Sequence, residues 1–414
     1  MSVSHLSGKT VLILGHVFPE PQSSAAGMRM LQLIDFFLQR RCNVVFACDS
    51  LPGQYAVLPQ NDLFSVRQIQ VNDSSFDQFL LELNPDIVMF DRFMTEEKYG
   101  WRVTETLPEA LQILDMEDFH ALRKARESTK ATSLPPISAF QQDFAWREIA
   151  SINRCDLVLV ISEFELKLLK DHFNIPESSL LLLPFWTDPP QERQIFPEWE
   201  LRKHFVSIGN FLHPPNVDSV LWLRQEIWPE IRRQIPDAQL HVYGAYQNDK
   251  QSKWHDPQNG FLMKGRAEDA LTVMLDARVC LAPLRFGAGL KGKLLIAMMA
   301  KTPSVTTQIG AEGMHGDAAW PGFVANTAKE LAYAAIQLYQ TKDIWLNASE
   351  QAQHVLLEKF DPQKIQESFH ARLEDYLHHL KKYRSQHFYQ GLFNHSTLQS
   401  YKYMSRWIEL KNKN

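Results

Sequence analysis

Short, largely apolar runs recur along this chain with helical patterns between them, and no other feature restricts its fold as strongly. Six such runs lie in the first half: TVLILG (10–15), NVVFAC (43–48), DIVMFD (86–91), LQILDM (111–116), DLVLVIS (156–162) and SLLLLPF (179–185). Runs that do not alternate with polar residues are typical of strands that helices cover on both faces. The patterns at 25–39, which Ser23 or Ser24 could cap, and at 75–83 predict helices between strands. The alternation predicts a doubly wound parallel sheet.

The alternation stops at a proline-rich segment and then starts again. The segment PFWTDPPQERQIFPEWELRKH (184–204) has prolines at 184, 189, 190 and 197, which is typical of a linker. The second series comprises HFVSIGN (204–210), AQLHVYG (238–244), GFLMKG (260–265), RVCLAPL (278–284), SVTTQIG (304–310) and GFVAN (322–326), with helical patterns at 217–233, 267–277, 291–301 and 327–339.

Two such series predict an α/β protein with two Rossmann-like domains. The carboxyl ends of both sheets would meet at a cleft between the domains. The predicted division is an N-terminal domain at 1–190, a linker at 191–203, a C-terminal domain at 204–360 and a helical extension at 361–414.

The composition excludes several other classes of protein. Of 414 residues, 45% are hydrophobic and 22% are charged, which argues against disorder. The formal net charge of −5 argues against a dedicated nucleic-acid binder. The four cysteines show no CxxC spacing and lie in or beside apolar runs, so buried thiols in a reducing compartment are expected. Without a signal-peptide pattern or an apolar run long enough for a membrane span, the sequence predicts a soluble, cytoplasmic protein.

The extension ends in a basic and aromatic segment. A helix is predicted from 361 to roughly 384. From its last turn onward, Lys381, Lys382 and Arg384 are followed or interleaved by seven aromatic residues: Tyr383, Phe388, Tyr389, Phe393, Tyr401, Tyr403 and Trp407. One hypothesis is peripheral contact with an anionic inner-membrane surface or an acidic partner. The other, which we favour, is a terminal helix that folds back over the first domain and buries its aromatic side chains.

The stretch RFGAGLKGKLLIAMMAKTPSVTTQIGAEG (285–313) carries the most specific chemical signal. It predicts a glycine-rich turn between a strand and a helix, with glycines at 287, 289 and 292 and basic side chains at Arg285, Lys291 and Lys293. Glycines allow close approach of a ligand, and the start of a helix attracts anions. The pattern predicts a binding site for a diphosphate.

A second loop follows the next predicted strand and should lie at the same cleft. It contains Thr307 and then Glu312 between two glycines. The carboxylate could accept hydrogen bonds from sugar or ribose hydroxyls, or it could cap the next segment, and the sequence leaves both open.

Two stretches of the first half should also reach the cleft. FPEPQSSAAGMRM (18–30) offers small residues around Ser24 and Gly27, where an anionic ligand would fit. DMEDFHALRKARE (115–127) begins at a strand end and places five charged or ionisable side chains close together: Asp115, Glu117, Asp118, His120 and Arg123. His120 could donate or accept a hydrogen bond at a substrate.

These stretches, together with ISEFE (161–165) and SIGNFLHPPNVDSVLWLRQEIWPEI (207–231), resemble the GT-B glycosyltransferases, specifically the group 1 or GT4-like retaining family. The likeness spans most of residues 8–340. It implies sugar transfer from a nucleotide-sugar donor, bound mainly by the second domain, to a glycan, lipid or protein acceptor, bound mainly by the first. It implies no metal ion and no cofactor.

The resemblance also implies roles for individual residues. Arg285, Lys291 and Lys293 would lie near the donor phosphates, and His120 would lie near the reacting sugar. The other donor-side residues would be Gly209, Asn210, Gly287, Gly289, Thr307 and Glu312. The acceptor-side residues would be Ser24, Gly27, Asp118 and Arg123.

The sequence departs from the family pattern at the donor site. Ala288 and Ile296 stand where many members have glutamates eight positions apart, and Asn210 and Pro215 stand where arginine and lysine are frequent. A catalytically silent GT-B homologue that binds a partner or an activated sugar is therefore the alternative to an active transferase. A nucleotide-sugar epimerase would need more acidic groups than this stretch offers, and a dehydrogenase is disfavoured because no GxGxxG follows the first strand.

Overall fold

The computed structural model describes residues 6–131, 133–187, 196–396 and 398–413. Two separate parallel sheets dominate it, one in each half of the chain. Residues 191–195 of the predicted linker, and the prolines at 189 and 190, lie outside the described residues.

The first sheet has seven strands, all parallel where they pair. They are β1 (Thr10–Gly15), β2 (Asn43–Cys48), β3 (Phe64–Gln68), β4 (Ile87–Asp91), β5 (Leu111–Asp115), β6 (Leu157–Val160) and β7 (Leu180–Leu182). Their order is β3-β2-β1-β4-β5-β6-β7, so the central strands are the buried, apolar runs of the sequence. Strand β3 was not predicted, because it is an exposed edge strand without an apolar run.

The second sheet has six parallel strands in the order β10-β9-β8-β11-β12-β13. They are β8 (His204–Ile208), β9 (Leu240–Tyr243), β10 (Phe261–Gly265), β11 (Ala277–Ala282), β12 (Ser304–Thr306) and β13 (Gly322–Val324). Each falls within a predicted run, apart from the first residue of β11, although SVTTQIG changes from strand to helix after Thr306. Both sheets have the strand reversal of doubly wound folds, which confirms the predicted fold class.

Helices cover both faces of the sheets. In the first half they are α1 (Ala25–Gln39), α2 (Ser75–Leu83), α3 (Phe93–Thr106), α4 (His120–Thr129), α5 (Asp143–Arg154) and α6 (Glu163–Phe173). In the second half they are α7 (Pro214–Trp222), α8 (Trp228–Gln234), α9 (Asp249–Ser252), α10 (Ala270–Asp276), α11 (Gly292–Met299), α12 (Gln308–Ala311), α13 (Ala328–Gln340) and α14 (Lys342–Lys359). The extension consists of α15 (Pro362–Gln386), α16 (Phe388–Ser396) and α17 (Leu398–Lys413).

The C-terminal extension packs on the N-terminal domain. Phe369 of α15 is fully buried, with its ring centroid 4.5 Å from that of Phe36 on α1. The Tyr376 hydroxyl donates to the carbonyl of Ser178 at 2.6 Å. Four aromatic side chains of α16 and α17 nevertheless stay exposed, namely Phe388, Tyr389, Tyr403 and Trp407. The hypothesis that we favoured requires packing on the first domain to bury these aromatic side chains. The extension does pack there, but it leaves these four uncovered.

No helix in the described part of the chain combines the length and the apolar character that crossing a bilayer requires.

Candidate active site

A cavity of about 490 Å³ lies between the two domains. The β1–α1 loop and the residues that follow β4 and β5 form its first wall. The second wall consists of residues that follow β8, β9 and β10 and of the turn between β11 and α11. All these segments follow the carboxyl ends of parallel strands, which is where ligands bind in open α/β sheets.

The glycine-rich turn before α11 forms much of the second wall. Residues 286–288 and 290–293 line the cavity, with Ile296 one turn further along the helix. Gly287 and Gly289 have φ angles of +156° and +63°, which favour glycine. No side chain caps the start of α11. Its first backbone N–H groups can therefore bind an anion at the cavity wall.

Lys293 crosses from α11 to the loop that follows β8. Its Nζ donates to Asn216 Oδ1 at 2.7 Å. A Cβ on Gly209 would lie 2.7 Å from Asn216 Cγ and 2.8 Å from this Nζ, so a side chain there would displace the Lys293–Asn216 pair. Burial lowers the pKa of Lys293 to about 8. The ammonium is therefore held ready for an anion at neutral pH, and the predicted residues Gly209, Asn210 and Lys293 lie together on the cavity wall.

Lys291 precedes the first residue of α11 and is also buried. Its Nζ donates to the carbonyl of Gly289. Burial lowers the pKa of Lys291, and the nearby carboxylate of Glu312 counteracts that effect. The side chain lines the cavity at the start of the helix, as a phosphate ligand would require.

Three predicted residues of the first domain form one cluster on the opposite wall. Asp118 accepts a hydrogen bond from Arg123 and lies 3.8 Å from His120 Nε2. Burial would raise the pKa of Asp118, but Arg123 and His120 together hold it well below its usual value. The backbone N–H and Nδ1 of His120 both face Glu148 Oε1, at 3.1 and 3.2 Å, which fixes the ring at the start of α4.

The small-residue loop before α1 caps that helix and also lines part of the cavity. Ser24 caps α1 by accepting a hydrogen bond from the N–H of Gly27 at 3.0 Å, and it lines the cavity. Gly27 does not line it. A Cβ on Gly27 would lie 2.4 Å from the backbone of Glu20, so this glycine is needed for packing.

The structure places Arg285 and Thr307 away from the cavity lining. Arg285 is 47% exposed and forms an ion pair with Asp218, so the turn directs its guanidinium away from the phosphate position that we predicted. Thr307 is buried, donates to the carbonyl of Leu284 and accepts from the N–H of Gly310. It therefore caps α12 from within the domain.

Gly289 and Glu312 lie at the contact between the domains. The N–H of Gly289 donates to Glu165 Oε1 at 2.8 Å, and the same oxygen accepts from the N–H of Phe119 at 2.9 Å. Glu312 accepts from both terminal nitrogens of the fully buried Arg126, at 2.9 and 2.7 Å. Neither residue lines the cavity. Because Glu312 lies outside the lining and is paired with Arg126, it does not replace a ribose-binding acid.

Sequence reasoning did not assign several lining residues. Arg92 follows β4 and Arg266 follows β10, while Ser23 and His213 lie in loops. Arg92 and Arg266 could have been found by taking every charged residue just beyond a strand end, as Glu117 was after β5. His213 has no such signal, because only the approach of the two domains brings it near Arg123 and Asp118. Its side chain is exposed, yet partial removal from water, followed by the charge of Arg123, lowers the pKa of His213 to about 4.

The cavity is strongly cationic. Its lining includes five fixed positive charges, namely Arg92, Arg123, Arg266, Lys291 and Lys293, against the two carboxyl groups of Glu117 and Asp118. Both carboxyl groups belong to the first domain. The second-domain wall therefore suits an anion, and the first-domain wall suits a ligand with hydroxyl groups. In the described ranges, no group of three or more His, Cys, Asp or Glu residues could hold a metal ion.

Comparison with known proteins gives a family for the second domain. Residues 202–341 match the family model described as glycosyl transferases group 1. One curated relative, an uncharacterized 44.6 kDa protein of the cps region of Klebsiella pneumoniae, is 28% identical over 120 residues. That match covers 27% of this chain and 31% of the relative, so it spans about a third of that protein.

Solved structures agree on the architecture. Anabaena HepE in complex with UDP-glucose superimposes with a TM-score of 0.64 at 12% identity, covering 89% of this chain and 100% of that one. Sucrose-phosphate synthase from Thermosynechococcus elongatus gives a TM-score of 0.65 at 13% identity over 89% and 98%. A TarM variant from S. aureus gives 0.56 at 16% identity over 72% of this chain and 57% of that one. The chain thus has the GT-B fold that the resemblance implies, and residues 202–341 in its second half match the group 1 glycosyl transferase model.

Proposed function

We propose that this chain transfers a sugar from a nucleotide-sugar donor to an acceptor bound on the first domain, without a metal ion and with retention of the anomeric configuration. The observation that carries the proposal is the cationic cavity between two Rossmann-like domains, with the uncapped start of α11 in its wall. The proposal of retention rests on the likeness to the retaining group 1 family. UDP is the first nucleotide to test, because HepE was solved in complex with UDP-glucose and the TarM variant in complex with UDP.

The donor side would stabilise the leaving diphosphate. As the bond between the anomeric carbon and the phosphate oxygen breaks, negative charge grows on the diphosphate. The α11 N–H groups, Lys291 and Lys293 would stabilise that charge in place of a metal ion. Because these groups are fixed before the reaction, little reorganisation is required.

The acceptor side would hold the nucleophile against the reacting sugar. His120 lines the cavity with its ring fixed by Glu148. It would form a hydrogen bond to the reacting sugar. The acceptor hydroxyl would attack on the same face that the diphosphate leaves, and its proton would pass to a departing phosphate oxygen.

One observation favours a second candidate, a catalytically silent GT-B protein. Ala288 and Ile296 line the cavity where many group 1 enzymes are expected to have glutamates, and the second domain contributes no carboxyl group to the lining. Such a protein would bind a nucleotide or activated sugar without turning it over.

The test is a panel of nucleoside diphosphates and nucleotide sugars, screened by thermal shift and then assayed for release of the diphosphate. We expect at least one nucleotide to stabilise the protein. Lys293→Ala should weaken its binding about tenfold, the effect of losing a charged hydrogen bond. Because the pKa of Lys293 is about 8, we expect wild-type affinity to fall as the pH rises through 8, while the variant shows a flatter dependence.

The matched control is Lys329→Ala, which removes an exposed lysine on α13. A wild-type protein that binds no nucleotide would refute the donor site. Binding without turnover, across a range of sugar acceptors, would refute the transferase and support the silent homologue.

A further inference from the structure

Two residues that line the first-domain wall have an unusual backbone conformation. Arg92, just after β4, has φ = +69°, and Glu117, just after the neighbouring β5, has φ = +57°. Nine non-glycine residues in the described part of the chain have positive φ, and these two are the ones that line the cavity. Residues with side chains rarely adopt this conformation unless the surroundings enforce it, and such residues cluster at functional sites.

The same wall carries buried polar atoms that have no partner within the described residues. Glu117 is 6% exposed, and its Oε1 has no hydrogen-bond partner there. Ser23, from the β1–α1 loop, is 9% exposed, and its Oγ is also unpartnered. Buried polar groups nearly always have a partner, so an unpartnered pair in a cavity wall indicates atoms that a ligand completes.

The chemistry of this wall selects the kind of ligand. A carboxyl group and a hydroxyl group form hydrogen bonds readily with alcohol groups of a ligand. A phosphate or carboxylate would have Arg92 as a partner but would meet the ionised Asp118 on the same wall, whereas the protonated Glu117 can donate to an alcohol group or accept from one. A neutral ligand with several hydroxyl groups therefore fits this wall better than an anion.

We propose that Glu117 and Ser23 bind hydroxyl groups of a sugar unit in the acceptor, which makes Glu117 a specificity-determining residue of the transfer. The inference rests on the proposed function, since it identifies the class of acceptor for that same cavity. It narrows the acceptor to a molecule with a carbohydrate at its reacting end, whether free or carried on a lipid or protein.

The charged groups around Glu117 make its hydrogen bonding depend on pH. Burial, followed by the charge of Asp115, raises the pKa of Glu117 to about 8, although Arg92 and Arg29 act to lower it. With Asp91 close by, the carboxyl group is surrounded by both signs of charge. At neutral pH it is protonated and can donate to a sugar hydroxyl as well as accept from one.

The test measures sugar binding and nucleotide binding separately. Glucose, galactose, mannose and N-acetylglucosamine, each at millimolar concentration, are examined by saturation-transfer NMR with the wild-type protein, Glu117→Gln and Ser23→Ala. UDP binding is followed by thermal shift on the same samples. Glu127→Gln is the matched control, because Glu127 is exposed and lies on α4, ten residues from Glu117.

We expect at least one sugar to bind the wild-type protein. Each of the two variants should weaken that binding about fivefold, the effect of one lost hydrogen bond, and leave UDP binding unchanged. Glu127→Gln should bind both ligands as the wild-type protein does. For Glu117→Gln, sugar binding should also lose its decline above pH 8.

Three results would overturn the inference. In the first, the wild-type protein binds UDP but none of the sugars. In the second, the Glu117 and Ser23 variants bind sugars as tightly as the wild-type protein. In the third, these variants lose UDP binding and sugar binding together. Failure of UDP to bind the wild-type protein would instead refute the proposed function, so the two failures are distinguishable.

Discussion

At the scale of single residues, Ile296 shows most directly how this site differs from the pattern it resembles. It lies one turn into α11 and lines the second-domain wall, where the described residues contribute no carboxyl group. A ribose hydroxyl at that wall would have no acidic partner from this domain. An unsatisfied hydroxyl in a buried site costs about 1–3 kcal/mol, so the wild-type site should not favour ribose over 2′-deoxyribose.

Replacing Ile296 tests this expectation. Ile296→Glu should increase the preference for UDP over 2′-deoxy-UDP about tenfold, because the new carboxylate accepts a hydrogen bond from the ribose. Competition calorimetry with both nucleotides gives the two dissociation constants. The control is Ile296→Met, which keeps an apolar side chain of similar size and should leave the ratio unchanged. Equal ratios in the Glu and Met variants would show that the ribose lies elsewhere.

Residue types were easier to find from the sequence than residue roles. Lys291 and Lys293 lie on the cavity wall because the turn that carries them follows the carboxyl end of a parallel strand, and that end of the sheet faces the cleft. Arg285 has the same charge six residues before the N-cap of α11, yet its ion pair with Asp218 directs it outward. Local sequence does not encode the position of Asp218, which comes from α7, 67 residues earlier.

At the scale of elements, Glu165 connects three segments. It lies in the first turn of α6, and its Oε1 accepts from the N–H of Phe119 before α4 and from the N–H of Gly289 in the glycine-rich turn. Burial, with a smaller contribution from the charge of Asp118, raises the pKa of Glu165 to about 8, although the hydrogen bond from the N–H of Phe119 acts to lower it. The folded protein therefore holds this carboxyl group in its neutral form at pH 7.

This raised pKa has a definite sign for stability. Between about pH 4.5 and 8 the unfolded chain ionises Glu165 while the folded chain keeps it protonated, so stability is lost as the pH rises through that window. Glu165→Gln should flatten the slope of the unfolding free energy by about 1 kcal/mol per pH unit there. Urea unfolding at several pH values measures this slope. The control is Glu163→Gln, because Glu163 lies on the same helix and its side chain is exposed. A slope identical in Glu165→Gln and wild type would contradict the raised pKa.

The elements themselves were largely predictable from the sequence. The central strands and α1 follow apolar patterns that burial on both faces requires, and Ser24 caps α1 as expected. The exposed edge strand β3 was missed because its stability comes from pairing with β2, which its own composition does not show.

At the scale of the whole molecule, buried charges hold the two domains together around the cavity. Arg126 from α4 is fully buried and pairs with Glu312 at the end of α12, and its Nη1 also donates to the carbonyl of Gly287 at 2.9 Å. Breaking a buried pair leaves an uncompensated charge, which is strongly destabilising. This contact therefore favours the closed arrangement of the domains.

Glu312→Gln tests the closing contact. We expect the ligand-free variant to have a larger radius of gyration in solution X-ray scattering, because Arg126 loses its charged partner while the core of each domain stays intact. A nucleotide that binds across the cleft should restore the wild-type value. Glu330→Gln, an exposed residue on α13, is the control. A radius that stays at the wild-type value without ligand would show that the pair does not hold the domains.

The sequence by itself determined the two parallel sheets, their order along the chain and the cationic turn before α11. These depend on apolar periodicity, glycine positions and helix starts within a few residues of one another. Only the tertiary structure decided which charges face the cavity. It pairs Glu312 with Arg126, directs Arg285 to Asp218 and leaves Glu117 and Ser23 without partners in the wall. The physical reason is that the free energy of a charge or polar group depends on neighbours that come from distant parts of the chain.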